Sequence, residues 1–171
     1  MEFLIFIAFF IFFWWRSQKK KERKAQLNFT KELKEEQSQY DKHLLSLPSL
    51  QGDKTFSQEV VGEQAYAEDL YNFGSWLELN HPGEDVVWVI VENEPESIHD
   101  PNAVRVEAGK TTVGYIPRQQ AKQFSAELAG LGGKARCAAR FYFDKYGDRS
   151  SITLDVIRPL VQYPDGEEAD Y

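Results

Sequence analysis

The chain has 171 residues, a net charge of −7 and one cysteine. That length holds one ordinary domain with extensions and leaves no room for a helicase-type ATPase. The lone Cys137 rules out an intrachain disulfide and fits a reducing compartment. The charge is uneven. Residues 1–24 carry six Lys/Arg and two Glu, or +4, whereas residues 55–160 carry ten basic and sixteen acidic side chains, or −6. The last eleven residues add −4. A general phosphate-binding surface is basic, so the acidic domain argues against tight, non-specific DNA binding.

Phe3 to Trp15 is thirteen residues without a polar side chain. A helix of that length rises ~20 Å, short of a ~30 Å hydrocarbon core. Three features still favour insertion. The run is apolar on every face, so it offers no polar side to lie on a membrane surface. It ends in Trp14 and Trp15, which suit the headgroup boundary. Arg16, Lys19, Lys20, Lys21, Arg23 and Lys24 follow and extend the span by snorkelling. A secretory signal carries its positive charge before the apolar run, and no small-residue cleavage site follows. The expectation is a single-pass anchor over residues 1–16, with membrane contacts at Phe3, Trp14 and Trp15. Basic flanks stay on the cytoplasmic side, so the N-terminus faces out and the globular part is cytoplasmic. The alternative is a helix buried in a soluble protein or against a partner.

Residues 17–54 read as a linker, basic and then polar. Between Ala25 and Leu47 the apolar Leu33, Tyr40, Leu44 and Leu47 recur at near-helical spacing, and Lys31 stands four residues before Glu35. Sustained heptads are absent, so this is a solvated spacer helix rather than a coiled coil, with weak self-association as the rival. Pro48, Gly52 and Asp53 end it.

Six strands are predicted next: Thr55–Val61, Val86–Glu92, Ala103–Glu107, Thr112–Ile116, Ala135–Phe143 and Ser151–Ile157. Val86 to Val91 is continuously apolar, which predicts burial on both faces. Val104 and Val106 flank Arg105, a one-sided strand. Ala108-Gly109-Lys110 and Asp144–Asp148 read as hairpin turns. Two helices interrupt the strands. One runs from Tyr66 to about Leu77 and contains a glycine. The other starts at Pro117, with Ala121, Phe124, Leu128 and Leu131 on one face and Gly132-Gly133 as its stop. The fold class is mainly β: a small OB-like barrel of about six strands with two helices over residues 55–158, followed by an acidic tail over 159–171.

The stretch from Glu92 to Arg118 (ENEPESIHDPNAVRVEAGKTTVGYIPR), with Phe56–Gly62 (FSQEVVG) upstream, resembles the HIRAN family. That family's pattern runs roughly V-V-G, Tyr, Glu-Pro, His/Tyr-Asp-Pro-Asn-Ala-Val and Gly-Tyr-Ile-Pro-Arg. The resemblance covers about residues 55–158. It implies a non-enzymatic module, because HIRAN domains carry no chemistry of their own and their well-studied members bind the 3′ end of single-stranded DNA.

The resemblance also nominates residues. Asp100 matches the aspartate at the 3′-end pocket, although Asp-Pro-Asn-Ala is equally a structural Asx-turn by composition. His99 stands where those members stack an aromatic on a base, and Tyr66 matches one aromatic of an Arg-Tyr-Tyr run. That run reads Gln64-Ala65-Tyr66 in this chain, so a phosphate contact and a stacking platform are missing. Tyr115 and Arg118 match later contact positions. Phe141 belongs to an aromatic strand, Phe141-Tyr142-Phe143, which is core by default with one ring a candidate for the groove.

No enzyme motif competes. His99-Asp100 lacks the further ligands a metal dyad needs, since the remaining histidines are His43 in the linker and His81 beside Pro82. Zinc spacing, a phosphate-cradling loop and a nucleophile elbow are absent from the sequence, and no metal or cofactor is expected. Two readings follow. One is a membrane-anchored binder of single-stranded DNA ends. The other is a protein-interaction module that recruits a partner to the membrane without binding nucleic acid.

Overall fold

A computed structural model of the chain describes residues 27–32, 34–62, 65–143 and 150–164. The expected anchor with Phe3, Trp14 and Trp15, the basic cluster, Leu33, Gln64, the turn at 144–148 and the acidic end from 165 lie outside the described residues. No helix among the described residues is long and apolar enough to cross a membrane. The chain divides into two compact units, Met1–Lys42 and His43–Tyr171. In the first, residues 27–32 and 34–42 are helical. Lys31 and Glu35 approach to 3.8 Å there, but both side chains are largely solvated, so the pair contributes little.

The second unit is mainly β. Its elements run β1 (Gln58–Glu59), α1 (Ala67–Asn80), β2 (Val86–Asn93), β3 (Val104–Ala108), β4 (Thr111–Tyr115), α2 (Arg118–Ala129), β5 (Lys134–Tyr142) and β6 (Ser151–Asp155). The six strands form one antiparallel sheet in the order β1-β6-β5-β2-β3-β4. The sheet curls until its two ends meet. Val61, two residues past β1, exchanges both backbone hydrogen bonds with Tyr115 of β4, each 2.8 Å long. Gly114 permits this approach, because a Cβ there would stand 2.7 Å from the Val61 carbonyl oxygen and 2.5 Å from the Val60 side chain.

β2 is the central strand and pairs along its length with β5, from Val86 opposite Arg140 to Glu92 opposite Lys134. Only its second half meets the expectation of two-sided burial: Val89, Ile90 and Val91 are buried, whereas Val86, Val87 and Trp88 are half-buried. The Arg136 guanidinium lies over the Trp88 indole, 4.9 Å from its centroid. β3 alternates as predicted, with Val104, Val106 and Ala108 inside. A two-residue loop, Gly109-Lys110, joins it to β4 with both residues at positive φ. α2 lays Ala121, Phe124 and Leu128 into the concave side of the sheet. Phe124, Leu128, Val89, Val104, Val106 and Val113 lose all solvent contact, each such aliphatic or aromatic contributing about 1.5–3 kcal/mol.

The first predicted strand, Thr55–Val61, shrinks to two residues. Lys54 and Phe56 sit at φ of 66° and 52°, outside extended geometry, so the ladder starts after them. Sequence on either side of 55–158 also packs on this sheet. The Leu50 amide donates to the Arg136 carbonyl and the Arg136 amide donates to Pro48, both at 2.8 Å, and Leu50 is buried. Residues 160–163 run beside this segment, with the Tyr163 amide bonded to the Ser49 carbonyl.

Candidate functional site

Five of the predicted site residues, Tyr66, His99, Asp100, Tyr115 and Arg118, line one pocket of about 300 Å³. They come from four places in the chain: the start of α1, the β2–β3 loop, the end of β4 and the first turn of α2. The curl of the sheet is what unites them. The Val61–Tyr115 pairing carries the chain leading to Tyr66 across to β4, and Pro117 then turns it into α2. The apolar floor comes from Ala103, Ile116 and Ala121.

Asp100 opens a turn in which the Ala103 amide donates to the Asp100 carbonyl at 2.9 Å. Its Oδ1 accepts the Asn102 amide at 2.8 Å and the Asn102 side-chain nitrogen at 3.1 Å. The structural Asx-turn is therefore real, and it leaves Oδ2 facing Arg118 Nε at 3.8 Å. The hydrogen bonds from Asn102, helped by Arg118, hold the Asp100 carboxyl below its ordinary range, so it stays ionised. Arg118 is 84% exposed and makes no closer pair than this among the described residues. It is the only lysine or arginine among the described residues lining the pocket.

Tyr66 and Tyr115 form the aromatic wall, with ring centroids 6.1 Å apart and planes tilted by 39°. The Tyr115 hydroxyl donates to Glu94 Oε2 at 3.1 Å. Burial, then the Tyr66 hydroxyl and the Glu94 charge, push the Tyr115 phenol far above its ordinary value, so it is a neutral donor at any working pH. His99 is exposed on the loop and presents its ring at the rim. Behind the pocket, Arg105 is already committed. It lies 2.6 Å from Glu92, 3.2 Å from Glu94 and 3.8 Å from Glu107. Burial raises the Glu92 carboxyl, but the hydrogen bonds from Arg105 and Lys134 outweigh it and keep Glu92 ionised. This cluster orients Glu94 and offers no free cation to a phosphate.

Phe141 does not join the other five. It is buried on β5, edge-to-face with Phe73 at 5.4 Å. Its burial follows from its position on the inner side of the strand, opposite Ile152 of β6. Among the described residues no group of three His, Cys, Asp or Glu is placed to hold a metal ion. Burial raises the Cys137 thiol well above its usual range, as fits a packed core residue.

Sequence reasoning missed Val61, Ser97 and Glu94. Glu94 stands in the Glu-Pro step of the quoted motif, so a signal existed, but nothing local foretold its bond to Tyr115. Ser97 carries no signal.

No curated protein and no solved structure matches the chain. Residues 79–157 match the HIRAN domain model. That stretch includes His99, Asp100, Tyr115 and Arg118 and excludes Tyr66, and the match supports the HIRAN domain family for this part of the chain.

Proposed function

We propose that the pocket binds the unpaired 3′ end of single-stranded DNA, as HIRAN domains generally do, and that the protein is a binding module rather than an enzyme. The observation that carries this reading is the convergence of Tyr66, His99, Asp100, Tyr115 and Arg118 on one cavity. Oδ2 of Asp100, only loosely held by Arg118 at 3.8 Å, accepts from the terminal sugar hydroxyl. The Tyr66 and Tyr115 rings and the exposed His99 flank the last base, each stack being worth ~1–3 kcal/mol. Arg118, at the positive end of the α2 dipole, holds a phosphate. The missing Arg-Tyr half of the family run and the −6 charge of the domain make this binding weak. We read the curled sheet as OB-like, which suits a pocket formed where the sheet's two ends meet.

The test is a titration with short oligonucleotides ending in a 3′ hydroxyl or a 3′ phosphate. The hydroxyl end binds better, and Asp100→Ala removes that preference. Affinity falls with salt at a slope of about −0.7, that of a single phosphate contact on a single strand. Equal binding of both ends, or none at low salt with the fold intact, removes the reading and leaves protein recruitment.

The apolar run with its trailing basic cluster supports a single-pass anchor, N-terminus out, that holds this module at the cytoplasmic face. Carbonate-resistant membrane association is the expected result. Release by carbonate contradicts insertion.

A further inference from the structure

A second surface lies on α1 and the end of β5 and shares no lining residue with the pocket above. It carries a run of rings anchored on the buried Phe141, with Tyr71 and Trp76 exposed at its outer positions. Tyr71 packs on Phe143 at 5.5 Å, Phe143 on Phe141 at 6.3 Å, Phe141 on Phe73 at 5.4 Å and Phe73 on Trp76 at 5.9 Å. Tyr71 is 52% exposed and Trp76 43%. Gly74 lies under Phe141 and Phe143, where any side chain would collide with both. A groove of about 370 Å³ opens at this place, bordered by Glu84, Asp85 and Arg140.

Along α1 and the loop after it the charge is one-sided. Residues 67–85 contain five carboxylates, Glu68, Asp69, Glu78, Glu84 and Asp85, and no Lys or Arg. Arg140 lies 3.2 Å from Asp85 while it covers Phe56, and the His81 ring lies 3.2 Å from Glu84. Such a face repels a nucleic-acid backbone. It attracts cations that also favour ring faces, above all guanidinium groups.

We propose that this aromatic, acidic face of α1 and β5 docks an arginine-bearing basic segment of a protein partner. Arginine side chains would lie over Trp76 and Tyr71, with Glu84 and Asp85 as their counter-charges. The site is independent of the DNA-end pocket, so the module can hold a nucleic-acid end and a basic protein at once.

The experiment uses the full-length protein and a fluorescent peptide of alternating arginine and glycine, with a glutamate-for-arginine control. The arginine peptide binds, more weakly as salt rises, and the control does not. Trp76→Ala weakens binding about threefold, the scale of one exposed cation–π contact. Trp76→Phe, which keeps a ring, restores most of the affinity. Glu84→Lys with Asp85→Lys weakens it about tenfold, the scale of two reversed surface charges. Equal peptide affinity in all variants overturns the proposal, as does equal binding of the control. Dimerisation that Trp76→Ala abolishes overturns it too, by assigning the face to a second copy of the chain.

Discussion

The two ends of α2 carry the same chemical pair in opposite states. Near its C-terminal end Glu127 is saturated. Its carboxylate accepts Arg158 Nε at 2.6 Å, Arg158 Nη2 at 3.0 Å, the Leu160 amide at 3.0 Å and the Gln123 side chain at 2.9 Å. Both partners are largely buried, at 15% and 25% exposed. At its N-terminal end Arg118 and Asp100 only approach, at 3.8 Å, and the arginine is almost wholly in water. A saturated pair fixes chain to chain. An unsaturated pair at a pocket leaves a charged donor and a charged acceptor for something else. The same carboxylate–guanidinium pairing therefore signals structure or binding according to how many partners each group already holds.

Among single substitutions, the largest effect on stability should come from the saturated end. Glu127→Ala leaves Arg158 and the Leu160 amide without their acceptor and should cost about 2 kcal/mol, the scale of charge-assisted hydrogen bonds at a partly buried site, read by denaturant melts. The pH dependence sharpens the point. The Arg158 hydrogen bonds hold the Glu127 carboxyl below its ordinary value near 4.5, against a smaller opposing effect of burial. A depressed carboxylate contributes fully above that ordinary value and loses its contribution as pH falls through the lower folded value. The stability gap between the native chain and Glu127→Gln should thus be open at pH 7 and narrow below about pH 4.

Truncation separates the sheet from its flanks. A fragment over residues 55–158 lacks the buried Leu50 and the Leu160 amide that Glu127 accepts, whereas 43–164 keeps both. The shorter fragment should melt lower, by at least the roughly 2–3 kcal/mol that one buried leucine contributes. Equal midpoints would mean that the flanks add nothing.

The smallest stability effect belongs to Arg118→Ala, within about 0.5 kcal/mol, as for other exposed surface changes. Its cost should appear in oligonucleotide affinity instead, lowered alike for every sequence. A large loss of stability from Arg118→Ala would erase the contrast between the two ends of the helix.

What the sequence made legible follows the same division. Strong periodicity placed β2, β3, β4, β5 and α2 to within about two residues, because Val86–Val91, Val104/Val106 and Ala121/Phe124/Leu128 carry their own burial pattern. Ser49-Leu50 and residues 160–163 were illegible as sheet partners. A bridge of one or two residues has no period, and Pro48 and Gly52 read as breakers. The sequence shows a glycine in α1 but not its purpose, which is that Gly74 makes room for Phe141 and Phe143. The pocket residues came from motif resemblance and not from periodicity. Four distant segments meet there only because the sheet curls, and no local pattern encodes a curl. Phe141 shows the limit in the other direction, as an aromatic drawn toward the groove by its type and held in the core by its place on β5.

The central claim is that the unsaturated end of α2 faces a nucleic-acid terminus. Backbone amide shifts measured by NMR, as a short 3′-hydroxyl oligonucleotide is added to the protein, test it most directly. Shifts confined to Tyr66, the loop at His99 and Asp100, Tyr115 and Arg118 are the predicted result. Shifts centred on Tyr71, Trp76 and the end of β5, or none at low salt, would contradict it.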